Sequence, residues 1–260
     1  TIAMAAASVD HFSQGRFVLG LGTSHKVQVE PEHGLMFEKP IPRLRECVGI
    51  IRELLRKGEV SHRGDVYNID NFDFWFEPLR REIPIYVAAV FPKMLEICGE
   101  IAQGALMTWC TLEHAAMAAT HVAEGAKRAG RSPEDVEVAT SLPCAVGSLG
   151  EGAMEGLRTN IAKYAAQFPR YRKLMEQAGF TEELKAVRQL WKEGNEEEAR
   201  RLIPTELIDK IALVGSADQC RRKLDEYRRA GITQPIISPR VSGDNPKEEA
   251  IQIIRACAPR

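Results

Sequence analysis

A parallel α/β fold of the (β/α)8 TIM-barrel type is the architecture this sequence predicts. Short apolar runs alternate with amphipathic helical segments, the pattern of βαβ units and a parallel sheet. The length of 260 residues matches a fold that runs to roughly 250 residues as one domain. A composition of 44% hydrophobic and 27% charged residues, with a net charge of −1, supports a buried core and excludes a disordered chain.

The elements follow in order. Residues 1–12 read as an alanine-rich helix, closed by the turn signal Ser13-Gln14-Gly15. Arg16 to Gly22 is an apolar run ended by glycine, as a buried parallel strand is. Residues 23–40 read as a polar loop. Residues 42–57 put Leu44, Val48, Ile51 and Leu55 on one helical face. Residues 59–77 are β-like and aromatic, with a turn at Gly64-Asp65. Ile83 to Val90 is a second buried strand, followed by a helix over 92–102. Gly104 opens a third strand, Ala105 to Trp109, and residues 112–129 are helical up to Gly130. Val136 to Val146 is a fourth strand. Residues 150–203 are helical and charged, too long for one crossover, and read as an insertion in a βα loop. Pro204-Thr205-Glu206 starts a helix, and Ser216 caps another that closes at Gly231. Gln234 to Ser238 is a fifth strand, and Pro246 opens a last helix.

Five strands fall short of eight. Three further βα units at ~30 residues each would add ~90 residues. The expectation is therefore a single barrel domain over 1–260 whose N-terminal strands are missing from this chain.

Composition and spacing exclude several functions. A pI of 6.6 gives no pull toward nucleic acid. The longest apolar stretches, Ile2 to Val9 and Ile83 to Phe91, fall short of the ~20 residues of a membrane span. The first also lacks the basic flank of a signal peptide. The six cysteines lie no closer than twelve residues apart, so they read as reduced, mostly buried thiols of a cytoplasmic protein. No HExxH occurs, and no metal site is expected. Neither a phosphate-cradling GK[ST] loop nor a GxSxG elbow is present. Gly20-Leu21-Gly22 begins a dinucleotide fingerprint, but His25 stands where its third glycine belongs.

Barrel chemistry sits at the carboxyl ends of strands, which selects the candidate residues. Gly20 and Gly22 end the first strand. Their bare backbone either admits a planar cofactor or relieves crowding. Thr23 and Ser24 follow with hydroxyl donors. At the next strand end, Ala88, Ala89, Val90, Phe91, Pro92 and Lys93 run small residues into a helix N-terminus, an anion-attracting arrangement. Thr108 ends the third strand. His25 is the candidate acid–base residue, since histidine exchanges protons near neutral pH; a solvated loop histidine is its other reading. His33 reads as orienting the loop, Glu30 and Glu32 as solvated charges. The strip Phe72, Phe74, Trp75 and Phe76 reads as packing. Arg170-Tyr171-Arg172-Lys173 reads as a solvated helix face.

Four segments, in order and spacing, carry a family resemblance. They are Gly15 to Gly22; Glu32-His33-Gly34 with Phe37 to Pro40 and Arg43-Leu44-Arg45-Glu46; Ile83 to Ala89 with Pro92 to Leu95, Gly99 to Ala102 and Gly104; and Gly125-Ala126 with Ala129-Gly130-Arg131. Together they resemble the luciferase-like flavin and deazaflavin oxidoreductases. The branch most resembled uses coenzyme F-420, with methylenetetrahydromethanopterin reductase its best-known relative. The resemblance implies a barrel with a late insertion, and hydride transfer between F-420 and a small organic substrate. It places the coenzyme phosphate at Ala88 to Lys93, with Thr108 at a phosphate-contacting position and Lys210 within reach. Many relatives carry Gly-Pro where this chain has Phe91-Pro92, often an acid at His25, and often Asp where this chain has Gln103. A homodimer through outer helices is also implied. Two alternatives stay open: an FMN-dependent monooxygenase of the same fold, and a non-catalytic barrel that binds a cofactor or partner.

Overall fold

The computed structural model describes residues 1–147 and 150–258. The chain divides into two compact units, Thr1–Leu106 with Thr120–Glu137, and Met107–Ala119 with Val138–Arg260.

The first unit opens with α1 (Ile2–Phe12), β1 (Leu19–Leu21), α2 (Lys26–His33) and α3 (Pro40–Lys57). A hairpin of β2 (Glu59–Arg63) and β3 (Asn68–Asp73) follows, then β4 (Ile85–Ala88), α4 (Pro92–Ile101) and β5 (Gly104–Thr108). β1, β4 and β5 are parallel, with Leu21 opposite Val87 and Ala88 opposite Leu106. Ile85 and Val87 are fully buried, as continuously apolar parallel strands are. The α3 face read from the sequence, Leu44, Val48, Ile51 and Leu55, is buried with Leu54 added. The region 23–40 departs from the expected loop. It holds the eight-residue α2, with Pro31 inside it and left-handed Gly34 ending it. Weak propensity and an internal proline hid this helix from its sequence pattern.

The helix α5 (Leu112–Arg128) leads to β6 (Glu137–Val146). In the second unit β6 pairs in parallel with β7 (Leu213–Gly215) and β8 (Gln234–Pro239). The helices α6 (Gly150–Gln167), α7 (Pro169–Gln177), α8 (Thr181–Lys192) and α9 (Glu196–Arg201) form the expected insertion. They bury Leu157, Ile161, Leu184, Val187 and Ala199 among themselves. After α10 (Thr205–Ile211) comes β7, which the sequence pattern did not separate from its flanking helices. Then α11 (Ala217–Arg229) starts with a capping box between Ser216 and Gln219, and α12 (Pro246–Cys257) ends the fold.

The basic run at 170–173 is not simply a solvated face. Arg172 donates to the carbonyls of Ala165 and Ala166 at the end of α6, at 2.9 and 3.4 Å. Tyr171 joins Tyr164 and Phe168 in an aromatic cluster. Nor does the aromatic strip pack throughout: Trp75 is 81% exposed.

Two close contacts lock the first unit. Asp10, fully buried in α1, accepts from the Arg80 guanidinium at 3.0–3.1 Å, while Arg80 also donates to the Phe17 carbonyl at 2.6 Å. The second is the crossing of α4 over α5 at Gly99 and Gly125. A Cβ on Gly125 would sit 1.9 Å from the Glu96 carbonyl oxygen, and one on Gly99 would sit 2.1 Å from that of Val122. Only glycine permits this backbone approach.

Both contacts predict measurable losses in urea unfolding. Asp10→Ala strands the Arg80 charge and costs about 3 kcal/mol, the lower end of the range for a broken buried pair because Arg80 reaches water. Gly125→Ala forces the helices apart and costs about 1–3 kcal/mol. Unchanged unfolding midpoints would show that neither contact holds the fold.

Candidate functional site

Parallel pairing sends the carboxyl ends of β1 and β4 to the same edge of the first unit. Gly22, Thr23 and Ser24 leave β1 there; Ala89, Val90 and Phe91 leave β4. The two chains run close, since a Cβ on Gly22 would lie 3.2 Å from the Ala88 Cβ. Gly20 and Ala88 are exposed, and a Cβ on Gly20 would meet nothing within 4 Å. Bare backbone therefore borders open space at this edge.

Ser24 holds a φ of 55°, a conformation that L residues with side chains adopt rarely. It turns the chain from β1 into α2. His25 caps α2, its carbonyl accepting from Gln28 and Val29 at 2.9 Å, and its side chain is half-buried.

Phe91 is the N-cap of α4, with Pro92 at the first helical position. Its carbonyl accepts from Met94 and Leu95 at 3.0 Å. With φ −125° and ψ 152° Phe91 is in ordinary extended backbone. A bulky residue therefore costs no backbone strain at this cap. Lys93 is exposed in the first turn, beside the positive end of the helix dipole.

A cavity of about 720 Å³ opens at the β1 tip. Gly22, Thr23 and Ser24 line it together with His33, Arg43 and Tyr67, and its remaining wall is largely apolar. The cavity thus gathers three of the sequence candidates. It includes His33, which the sequence assigned to loop orientation, and His25 is not among its lining residues. Glu30 is not simply solvated, since it accepts from the Phe37 amide at 3.3 Å and ties the cavity wall together.

Tyr67 is held in the wall by Glu46. That carboxylate accepts from the amides of Asp65, Val66 and Tyr67 at 2.8–3.2 Å, and meets His62 Nε2 at 3.3 Å. Desolvation pushes its pKa up, but the Tyr67, Val66 and Asp65 amides and His62 together bring it below the usual carboxylate value. The sequence quoted Glu46 only as part of a motif. Its partners are backbone amides about twenty residues away, which no side-chain pattern reveals.

Gln103 lies at the opposite ends of the strands. Its side-chain oxygen accepts from the Ile85 amide at 3.1 Å and from Arg52 at 2.9 Å. Its amide in place of an acid is therefore a strand-clamping choice, away from the candidate site.

Thr108, at the end of β5, belongs to the second unit and is half-buried. Trp109 follows it in the left-handed region at φ 55° and packs 5.3 Å from Tyr164. Cys110 Sγ then lies 3.3 Å from His114 Nδ1, a buried contact the sequence did not indicate. Burial pushes the Cys110 thiol up to about 12. Lys210 donates to the Ala178 carbonyl at 3.3 Å. On the outer face of the first unit, His121 Nδ1 lies 3.2 Å from Glu96 and 3.3 Å from Glu124. Arg128 pairs with Glu96 at 3.0 Å, so the protein's own cation balances this cluster.

The luciferase-like monooxygenase family model matches residues 1–234, and the chain belongs to that family. A Mycobacterium tuberculosis protein, named provisionally as a coenzyme F-420-dependent oxidoreductase, is 30% identical over 255 residues. The match covers 91% of this chain and 74% of that one. The 5,10-methylenetetrahydromethanopterin reductase of Archaeoglobus fulgidus is 28% identical over 257 residues, covering 97% and 75%. The solved F-420-dependent tetrahydromethanopterin reductase of Methanopyrus kandleri superposes with a TM-score of 0.85 at 26% identity, covering 97% of this chain and 76% of that one. The luciferase-like α/β fold expected from the sequence is thus established. Among the described residues no helix is long and apolar enough to cross a membrane.

Glu46 gives the wall a pH dependence. Its folded pKa is depressed, so its contribution to stability is full above the ordinary carboxylate value and is lost as pH falls through the folded value. Amide exchange at Asp65, Val66 and Tyr67 should quicken over that acid window. In Glu46→Gln these amides should already exchange faster at neutral pH, with no further acid step. Equal protection in both proteins would remove Glu46 from this role.

Proposed function

We propose that the protein is an oxidoreductase that moves a hydride between coenzyme F-420 and a small organic substrate. The observation that carries this reading is the edge where β1 and β4 end. There, exposed Gly20 and Ala88 leave backbone uncovered beside open space, next to a cavity that Gly22, Thr23 and Ser24 line. The reading is supported by two relatives whose names carry F-420-dependent chemistry and by a methylenetetrahydromethanopterin reductase, each matched over nine-tenths or more of this chain.

The residues present fit such a coenzyme. A flat ring needs a wall without side chains, which Gly20 and Gly22 provide. Thr23 and Ser24 offer hydroxyls to ring carbonyls. Ala88, Ala89 and Val90 lead to the N-terminus of α4, where Phe91 and Pro92 leave the Lys93 amide and ammonium to meet a phosphate. When bound, the deazaflavin donates or accepts the hydride. The chain's own task is to hold the substrate at near-attack distance and manage its proton.

His25 is assigned the proton. It directly follows the Gly22–Ser24 turn, and its backbone is fixed by the first turn of α2, which supports this assignment. The apolar part of the cavity wall suits an organic substrate, with Arg43 and Tyr67 as polar contacts. We assign the protein to the cytoplasm and to a homodimer; light scattering tests the latter.

Cofactor titration tests this reading. F-420 fluorescence should change on binding, FMN should bind far more weakly, and Gly22→Leu should abolish F-420 binding while leaving the circular dichroism spectrum intact. In a screen of small alcohols and carbonyls, His25→Gln should lower turnover about 10²-fold or more with little change in coenzyme affinity. Preferential FMN binding with oxygen uptake would move the assignment to a monooxygenase, and binding of neither cofactor would refute the oxidoreductase reading.

A further inference from the structure

Sequence spacing keeps the six cysteines apart, yet the fold gathers three of them. Cys144 lies on β6, Cys220 on α11 and Cys257 on α12, each buried. The Sγ atoms of Cys144 and Cys257 stand 3.5 Å apart across 113 positions of sequence. Cys220 lies close enough to influence both thiols, and its Sγ faces the Gly215 carbonyl at 3.9 Å. The other cysteines lie outside this cluster. Cys98 faces the Val87 carbonyl at 3.6 Å, and burial pushes its thiol up to about 12. Cys110 lies against His114. Cys47 is the least buried of the six.

The three clustered thiols are not equivalent. Cys144 is fully enclosed, whereas Cys257 is 6% exposed and borders a cavity of about 370 Å³. Arg221, Arg222 and Arg228 line that cavity together with Asp218 and Asp225, so a small polar molecule can approach Cys257 from water. The adjoining Cys144 and Cys220 sulfurs, and the charge of Arg221, hold the Cys257 thiol below the ordinary range. A sulfur in such a setting is more nucleophilic at neutral pH than a buried thiol among apolar groups.

We propose that Cys144 and Cys257 are an oxidation site, closing to a reversible disulfide when the protein meets a small hydroperoxide. The Cys257 thiolate attacks one peroxide oxygen. The S–O bond forms, the O–O bond breaks, and the leaving oxygen takes up a proton to depart as water (or as an alcohol from an alkyl hydroperoxide). Cys257 is then a sulfenic acid. The Cys144 sulfur attacks it, the S–S bond forms, the S–O bond breaks, and the sulfenic hydroxyl leaves with the Cys144 proton as a second water. Two electrons pass from the sulfurs to the peroxide. The sulfurs need to close from 3.5 Å to about 2.0 Å, a movement that side-chain rotation supplies. Cys220 keeps its thiol beside the new bond. The disulfide joins β6 to the last helix, and a dithiol reductant restores the pair.

Thiol counting tests the site on the unaltered protein. After treatment with a few equivalents of hydrogen peroxide, denaturation and alkylation, free thiols should fall from six to four. Peptide mapping should recover a Cys144–Cys257 link that dithiothreitol reverses. The thermal midpoint of the oxidised protein should rise by roughly 5 °C or more, as for a cross-link that closes a long loop. In Cys144→Ser the peroxide product should stop at a Cys257 sulfenic acid that dimedone traps. If that variant fails to fold, the map of the unaltered protein decides alone. Six surviving thiols would overturn the proposal. So would oxidation that begins at Cys47, or a link between any other pair.

Discussion

The buried pair of Asp10 and Arg80 is the contact on which the first unit's working edge depends. A fully enclosed carboxylate is costly unless its partner satisfies it closely. Arg80 does so with a forked contact through Nε and Nη2, and Nη2 also donates to the Phe17 carbonyl. Three segments are thereby tied at one point: the end of α1, the residues that feed β1, and the stretch that precedes β4. β1 itself has only three residues. So short a ladder fixes its own register weakly, and an anchor at its upstream end supplies what the ladder lacks. With β1 fixed opposite β4, Gly22 falls beside Ala88, and the turn through Ser24 begins at one defined place.

Opposite ends of the same strands carry different duties. At the amino ends, Gln103 clamps β4 and brings in Arg52. Along the outside, Gly99 and Gly125 let two helix backbones touch. At the carboxyl ends, left-handed Ser24 directs the chain just after β1. Local strain at that edge and tight packing elsewhere is the distribution expected when a rigid frame holds a reactive rim.

Much of this was legible in the sequence, for identifiable reasons. β1, β4, β5, β6 and β8 carry apolar runs with clear punctuation, and the Ser216 cap announces α11 with its own side chain. β7 was not legible because three residues between two helices make no periodic signal. α2 was not, because Pro31 and a polar composition hide it. At the candidate site, strand-end glycines and the proline of α4 could be read directly. Glu46 could not, since backbone amides leave no trace in sequence. The role of Asp10 could not be read either, since only its distant partner Arg80 explains it. The cysteine cluster was equally hidden: three residues from a strand and two helices meet only once the second unit is folded.

The exposure of Trp75 and the enclosure of Trp109 have an optical consequence. The first stands 81% in water within the first unit; the second is 4% exposed within the other. Indole emission shifts to the red in a polar, relaxing solvent shell and stays blue inside an apolar wall. The red edge of the emission therefore belongs to Trp75, where dissolved iodide quenches it. The blue edge belongs to Trp109, enclosed beside the Tyr164 ring. Trp191, the third tryptophan, is half-buried in the second unit, so the variant Trp191→Phe leaves two natural colour markers, one in each unit, that show which of them responds first when the protein is perturbed.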